Sequence, residues 1–273
     1  FESRFMSHLA SWGFVVASPD HKERSLGGLL GGPAFEEGRD VEDLRNTLAA
    51  LRNQNVEEGG VLYGAMDFDQ VAATGHSAGG GASGRLAADA QIDTWIGKAS
   101  GPPVAGVRFG DPSIEDLDTE IQRVLDASPP PAIPTMLIAA ADDEIVPLRR
   151  NQALYNWLEA PKRLVVLANA GHNAFTDLCA PIRAQGGLMQ FVDQVPALVP
   201  VLRLGEDGCV EGQLDPLEGE ALINHATVAQ LRWVFGADAD DAALEPAFLR
   251  SLFGDALAEA VADPSPPPPA PGA

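Results

Sequence analysis

Three short segments hold side chains that could together break a carbonyl bond. Gly75-His76-Ser77-Ala78-Gly79 fits the pattern G-x-S-x-G, in which a serine stands on a sharp turn between a strand and a helix and the flanking glycines remove side chains that would collide there. A serine hydroxyl is a weak nucleophile unless a base takes its proton and a carboxylate orients that base. Both residue types follow in the chain. Thr135-Met136-Leu137-Ile138-Ala139-Ala140 leads into Ala141-Asp142-Asp143-Glu144-Ile145-Val146-Pro147, and Leu164-Val165-Val166-Leu167 leads into Asn169-Ala170-Gly171-His172-Asn173. The order is serine, acid, histidine, and each polar group follows an apolar run, so a parallel arrangement of those runs would bring them to one edge of a sheet. Either Asp142 or Asp143 could be the acid on spacing alone.

The helix expected after Ser77 would place its N-terminus beside the nucleophile, where the Ala78 N–H could donate to a developing oxyanion. The remaining histidines compete weakly. His76 belongs to the turn and is expected to pack beside Ser77. His8 and His21 lie in or after the opening helix and strand, and His225 sits in an amphipathic helix, where structural roles are expected. No His/Cys/Asp cluster has metal-ligand spacing, and no cofactor is expected.

The elements that must position these groups can be read from periodicity. Residues 2–11 read as a helix, 14–18 as a buried parallel strand, 35–53 as an amphipathic helix and 70–74 as the strand before the turn. A small-residue helix over 79–90, strands over 92–99, 135–140 and 163–168, and helices over 113–127 and 148–158 follow. The segment between 99 and 135 could hold a small cap. Residues 221–235 and 246–262 are expected to be helical. The glycine-rich stretch 27–33 lacks the spacing of a phosphate loop and reads as a connection. Strands alternating with helices imply an α/β fold with a mostly parallel sheet covered on both faces. The expected catalytic domain spans 1–262, and the Pro-rich 263–273 is expected to be a disordered tail.

Composition excludes other classes. The 273 residues carry 39 Asp and Glu against 18 Lys and Arg, a net charge of −21. That balance repels phosphate backbones and anionic membranes, so nucleic acid is not an expected partner. No run of about 18 apolar residues appears, so no transmembrane segment is expected. Cys179 and Cys209 could be inert buried thiols. Asp207-Gly208-Cys209, however, reads as an exposed turn where a free thiol is a liability, which favours a Cys179–Cys209 disulfide and with it a secreted or periplasmic location.

These residues resemble a known family: the secreted bacterial α/β-hydrolases of the dienelactone-hydrolase-like, platelet-activating-factor-acetylhydrolase-like and polyester-hydrolase (cutinase-like) group. The resemblance runs through Leu9-Ala10-Ser11-Trp12-Gly13-Phe14-Val15-Val16, Gly75-His76-Ser77-Ala78-Gly79-Gly80-Gly81, Asp143-Glu144-Ile145-Val146-Pro147 and Gly171-His172-Asn173-Ala174-Phe175. It implies the α/β-hydrolase fold, a Ser77–His172–Asp143 triad and hydrolysis of carboxylic esters, small or polymeric, through an acyl-enzyme. The functional Asp of such enzymes stands four residues before the proline of a D-x-I-x-P ending, which selects Asp143 over Asp142. A monomer is the expected form. A thioesterase or peptidase would use the same three residues, whereas a non-catalytic binding protein on this fold would normally have lost one of them.

The chain departs from the family at three places. Dienelactone hydrolases carry cysteine where Ser77 stands, so that activity is not implied. Polyester hydrolases usually place a Trp after the strand that follows the turn, where this chain has Ser100-Gly101-Pro102-Pro103, so polymer hydrolysis is open rather than implied. The family's first oxyanion donor comes from a loop, commonly beginning His-Gly, on a strand that precedes the helix opening at about Phe1. That strand and loop are expected to be missing from this chain, leaving an empty groove beside Ser77 between 14–18 and 70–74.

Overall fold

Every side chain of the strand Thr135–Ala140 is buried, and successive ones enter opposite halves of the core. Met136, Ile138 and Ala140 join a cluster that includes Phe5, Leu9, Leu222 and Leu231. Leu137 and Ala139 join another with Leu86, Leu125 and Leu154. This is the period-two geometry of a strand covered on both faces. Burying a leucine or isoleucine fully stabilises by about 1.5–3 kcal/mol, so residues such as Leu137 and Ile138 anchor both layers.

The structure is a computed structural model describing residues 2–21, 36, 38–89, 91–102, 117–191, 193 and 199–263. The stretch 27–33, the opening of the helix expected at 113, most of the possible cap and residues 264–273 of the tail lie outside them. The described helices and strands are α1 (Ser3–Ser11), α2 (Arg39–Val56), β1 (Ala72–His76), α3 (Ala78–Leu86), β2 (Thr94–Lys98), α4 (Leu117–Asp126), β3 (Thr135–Ala140), α5 (Leu148–Trp157), β4 (Lys162–Leu167), α6 (Cys179–Ala184), α7 (Val199–Glu206), α8 (Pro216–Val234), α9 (Pro246–Phe253) and β5 (Leu257–Asp263). The strands form one five-stranded sheet in the order β1-β2-β3-β4-β5. The first four are parallel and β5 is antiparallel to β4. The fold is therefore α/β with a mostly parallel sheet and helices on both faces. Among the described residues, no helix is long and apolar enough to cross a membrane.

Three expectations are corrected. Residues 14–18 form no strand: they have no regular secondary structure, leave Val15 exposed, and join no ladder. An apolar run reports burial, and burial here comes from packing of Phe14 and Val16 on the core rather than from pairing. The strand before the turn occupies Ala72–His76 rather than 70–74, which carries it directly into Ser77. The helix expected over 246–262 ends at Phe253; Gly254 takes φ +49° and the chain returns as β5, with the Arg250 guanidinium donating to the Leu257 and Ala258 carbonyls at 3.1 Å each. Satisfying the open edge of β4 outweighs the helix preference of an alanine-rich segment. β5 accordingly ends at Asp263, the first residue of the expected tail.

β1 lies at the edge of the sheet. Between it and residues 14–17 runs an apolar groove of about 340 Å³, walled by Val15, Val16, Leu48, Ala72, Thr74 and neighbouring side chains. Gly75, His76 and Ser77 do not line the groove, and its far wall is irregular chain rather than the second strand expected there.

Candidate active site

Parallel pairing of β1 to β4 sets the positions of the three candidate residues. Ser77 follows β1, Asp143 follows β3 and His172 follows β4, so all three stand at the C-terminal edge of one sheet.

Ser77 has φ +56° and ψ −124°, a backbone conformation that L-residues rarely adopt and that costs about 1–3 kcal/mol. Of the two flanking glycines only Gly75 is crowded: a Cβ there would lie 2.3 Å from the Gly79 carbonyl oxygen, whereas one on Gly79 would meet nothing within 4 Å, which corrects the expectation that both relieve a collision. The second crowded position is Gly80, where a Cβ would lie 2.6 Å from Ser100 Oγ. The turn is pinned on both sides: the Ser77 N–H donates to the Lys98 carbonyl at 2.9 Å, and the Ser77 carbonyl accepts from Gly81 at 3.2 Å and Gly101 at 3.3 Å. Ser77 keeps part of its surface open to solvent. Ala78 opens α3, so its N–H is one of the first-turn donors without an intrahelical acceptor.

The two neighbouring acids differ in geometry. Asp143 is buried and its Oδ2 meets His172 Nδ1 at 2.9 Å, while its Oδ1 accepts from the N–H groups of Ile145 at 2.8 Å and Val146 at 2.6 Å. Three hydrogen bonds hold the carboxylate in one orientation. Asp142 points to solvent, and only its backbone is engaged, donating to the Ala170 carbonyl at 2.9 Å. With Nδ1 of His172 turned to a carboxylate, Nε2 is the ring nitrogen left to act as a base.

The ring of His76, expected beside Ser77, makes its described ring contacts with His172 and Phe175. The His76 and His172 ring centroids are 4.6 Å apart, and the stack on Phe175 lies at 5.5 Å. Burial, the neighbouring His172 and the Lys98 ammonium hold the His76 pKa well below the usual histidine range. His21 pairs with Asp43 at 2.9 Å, and His225 bonds the Ala243 carbonyl at 2.9 Å; neither approaches the site.

Sequence reasoning missed two features. Lys98, fully buried at the end of β2, pairs with Glu2 at 2.7 Å and lies 3.4 Å over the Phe5 ring, tying α1 to the strand next to Ser77. Desolvation lowers its pKa, and Glu2 opposes that shift. No local signal marks a buried lysine in such a run. The other is Asp207, whose carboxylate accepts from the Glu144 N–H at 3.1 Å and whose main-chain carbonyl accepts from the Asn173 N–H at 2.7 Å. The Cys179–Cys209 disulfide is formed, but the turn that suggested it is not exposed: Gly208 and Cys209 are buried. Among the described residues, no group of three His, Cys, Asp or Glu is placed to hold a metal ion.

The chain matches no protein-family model, and no curated protein matches it either.

Proposed function

We propose that this chain is a serine hydrolase of the α/β-hydrolase fold that cleaves carboxylic esters through an acyl-enzyme. The observation that carries the reading is the buried Asp143–His172 hydrogen bond, standing on the same sheet edge as a serine held at positive φ. Among the described residues Ser77 Oγ makes no hydrogen bond to His172; contacts of this kind often tighten only when substrate is bound.

In the proposed reaction Ser77 Oγ attacks the ester carbonyl carbon while His172 Nε2 takes the hydroxyl proton. Asp143 stabilises the resulting imidazolium without itself becoming protonated. The oxyanion of the tetrahedral intermediate accepts from the Ala78 N–H at the start of α3. Collapse breaks the carbon–oxygen bond to the leaving alkoxide, which receives the proton from Nε2 and departs as the alcohol. Water then attacks the acyl-Ser77 carbonyl, giving its proton to Nε2, and the second collapse returns that proton to Ser77 Oγ and frees the carboxylic acid. No step requires a cofactor.

The likeness to secreted hydrolases and the disulfide together support a location outside the cytoplasm. The test is covalent labelling of Ser77 by a fluorophosphonate probe, followed by a panel of esters of increasing acyl length with thioesters and peptides alongside. Failure to label Ser77 would reject the reading, and labelling with turnover of peptides or thioesters alone would reassign the substrate.

A further inference from the structure

The three catalytic candidates account for only part of the polar structure at this edge of the sheet. Asp207 lies on the segment after α7, far from all three in sequence, yet it touches two of their loops. Its Oδ2 accepts from the N–H of Glu144, the residue after Asp143, at 3.1 Å. Its main-chain carbonyl accepts from the Asn173 N–H at 2.7 Å. The 2.9 Å bond between Asp143 and His172 is thus spanned by one residue whose carboxylate bonds the Asp143 loop and whose main chain bonds the His172 loop.

The surrounding backbone is built to admit this carboxylate. A Cβ on Gly171 would lie 2.2 Å from Asp207 Oδ1 and 2.4 Å from the Gly208 nitrogen. Gly208, at φ +92°, would carry its own Cβ 2.8 Å from the Gly171 carbonyl. Two glycines on different segments therefore let the chains meet. Directly beyond them, Cys209 is bonded to Cys179 at the start of α6, which fastens the Asp207 segment to the chain that leaves His172.

We propose that Asp207 is a positioning residue: its carboxylate ties the Asp143 loop to a segment whose main chain holds the His172 loop, and the Cys179–Cys209 disulfide fastens that segment. The proposal rests on the serine-hydrolase reading for its kinetic consequence. The tie to the Asp143 loop is made by the side chain, so removing the carboxylate cuts it while the main-chain bond to Asn173 remains.

The test uses the intact chain and Asp207→Ala, which removes the side-chain acceptor and leaves the main chain in place. Proton NMR reports the low-field Nδ1–H of His172 in its bond to Asp143, and steady-state ester hydrolysis reports kcat and KM separately. The expected result is loss or upfield movement of the low-field signal, with kcat lowered roughly tenfold to a hundredfold and KM changed by less than about twofold. A signal at its original position together with kcat within twofold of wild type would overturn the proposal. If Asp207→Ala does not fold, wild-type chain treated with reductant supplies the second arm: the signal should broaden or disappear while far-UV circular dichroism is retained, and an unchanged signal overturns the clamp. Should the wild type fail to react with a fluorophosphonate, the hydrolase reading falls, and the NMR signal still decides whether Asp207 sets the Asp143–His172 bond.

Discussion

His76 Nε2 bonds the main-chain carbonyl of His172 at 2.9 Å, so the residue preceding the serine holds the histidine that would activate it. A carbonyl can only accept, which places the hydrogen on His76 Nε2. The depressed pKa of His76 keeps it neutral beside a ring that would become cationic in the proposed reaction. That state has a consequence for stability. The folded pKa lies below the unfolded value, so the unfolded chain binds the extra proton first as pH falls. The contribution is complete above the ordinary histidine pKa of about 6.5 and is lost progressively as pH drops from there toward the folded value. Urea midpoints measured downward from pH 7.5 should therefore decline in the wild type and decline less steeply in His76→Phe. Identical slopes would reject the assignment.

Ser77→Ala should remove ester hydrolysis by on the order of 10⁴-fold or more. The companion variant Ser77→Gly should be equally inactive yet more stable than Ser77→Ala by about 1 kcal/mol, because only glycine relaxes at this φ. At an ordinary position glycine is the less stable of the two. Denaturant melts of the pair test the strain, and alanine proving the more stable would argue against it.

Asp143→Asn should lower kcat by on the order of 10⁴-fold, since an amide oriented by the same N–H groups favours the wrong tautomer of His172. Asp142→Asn alters an exposed side chain and should leave kcat within about threefold, in line with surface substitutions away from such features. Steady-state assays of the two variants decide the acid, and a larger loss at Asp142 would reverse the assignment.

Gly75→Ala should destabilise the chain by about 3 kcal/mol or more, because the added methyl meets main-chain atoms of Gly79 that no side-chain rotation can move. Gly79→Ala has no atom within 4 Å of its added Cβ and should cost far less. Thermal melts of both separate crowding at the turn from a general intolerance of substitution.

Reducing the Cys179–Cys209 bond releases a sequence separation of 30 residues. The chain-entropy account gives a loss of about 3–4 kcal/mol. Urea midpoints with and without reductant measure it, and equal midpoints would show that the bridge does not stabilise the chain.

The common sheet edge of Ser77, Asp143 and His172 was legible in the sequence because each carries its positioning signal locally: an apolar run, a turn residue, a polar group. β3 was read to the residue, since its neighbours in sequence are also its limits. Asp142 and Asp143 were not separable by spacing, and only burial and the bond to His172 distinguished them. The segment 14–18 and β5 were misread for a related reason. An apolar pattern encodes that a segment is buried, whereas membership of a sheet depends on whether a partner edge is free, and β4 offered one to the alanine-rich Leu257–Asp263. Asp207 lies 63 positions from Glu144 and carries no signature of its own. Its place beside both loops comes from a disulfide and a contact between Gly171 and Gly208. Local propensity is written in neighbouring residues, but pairing between distant segments is decided by which surfaces and hydrogen-bonding groups the rest of the fold leaves to be satisfied.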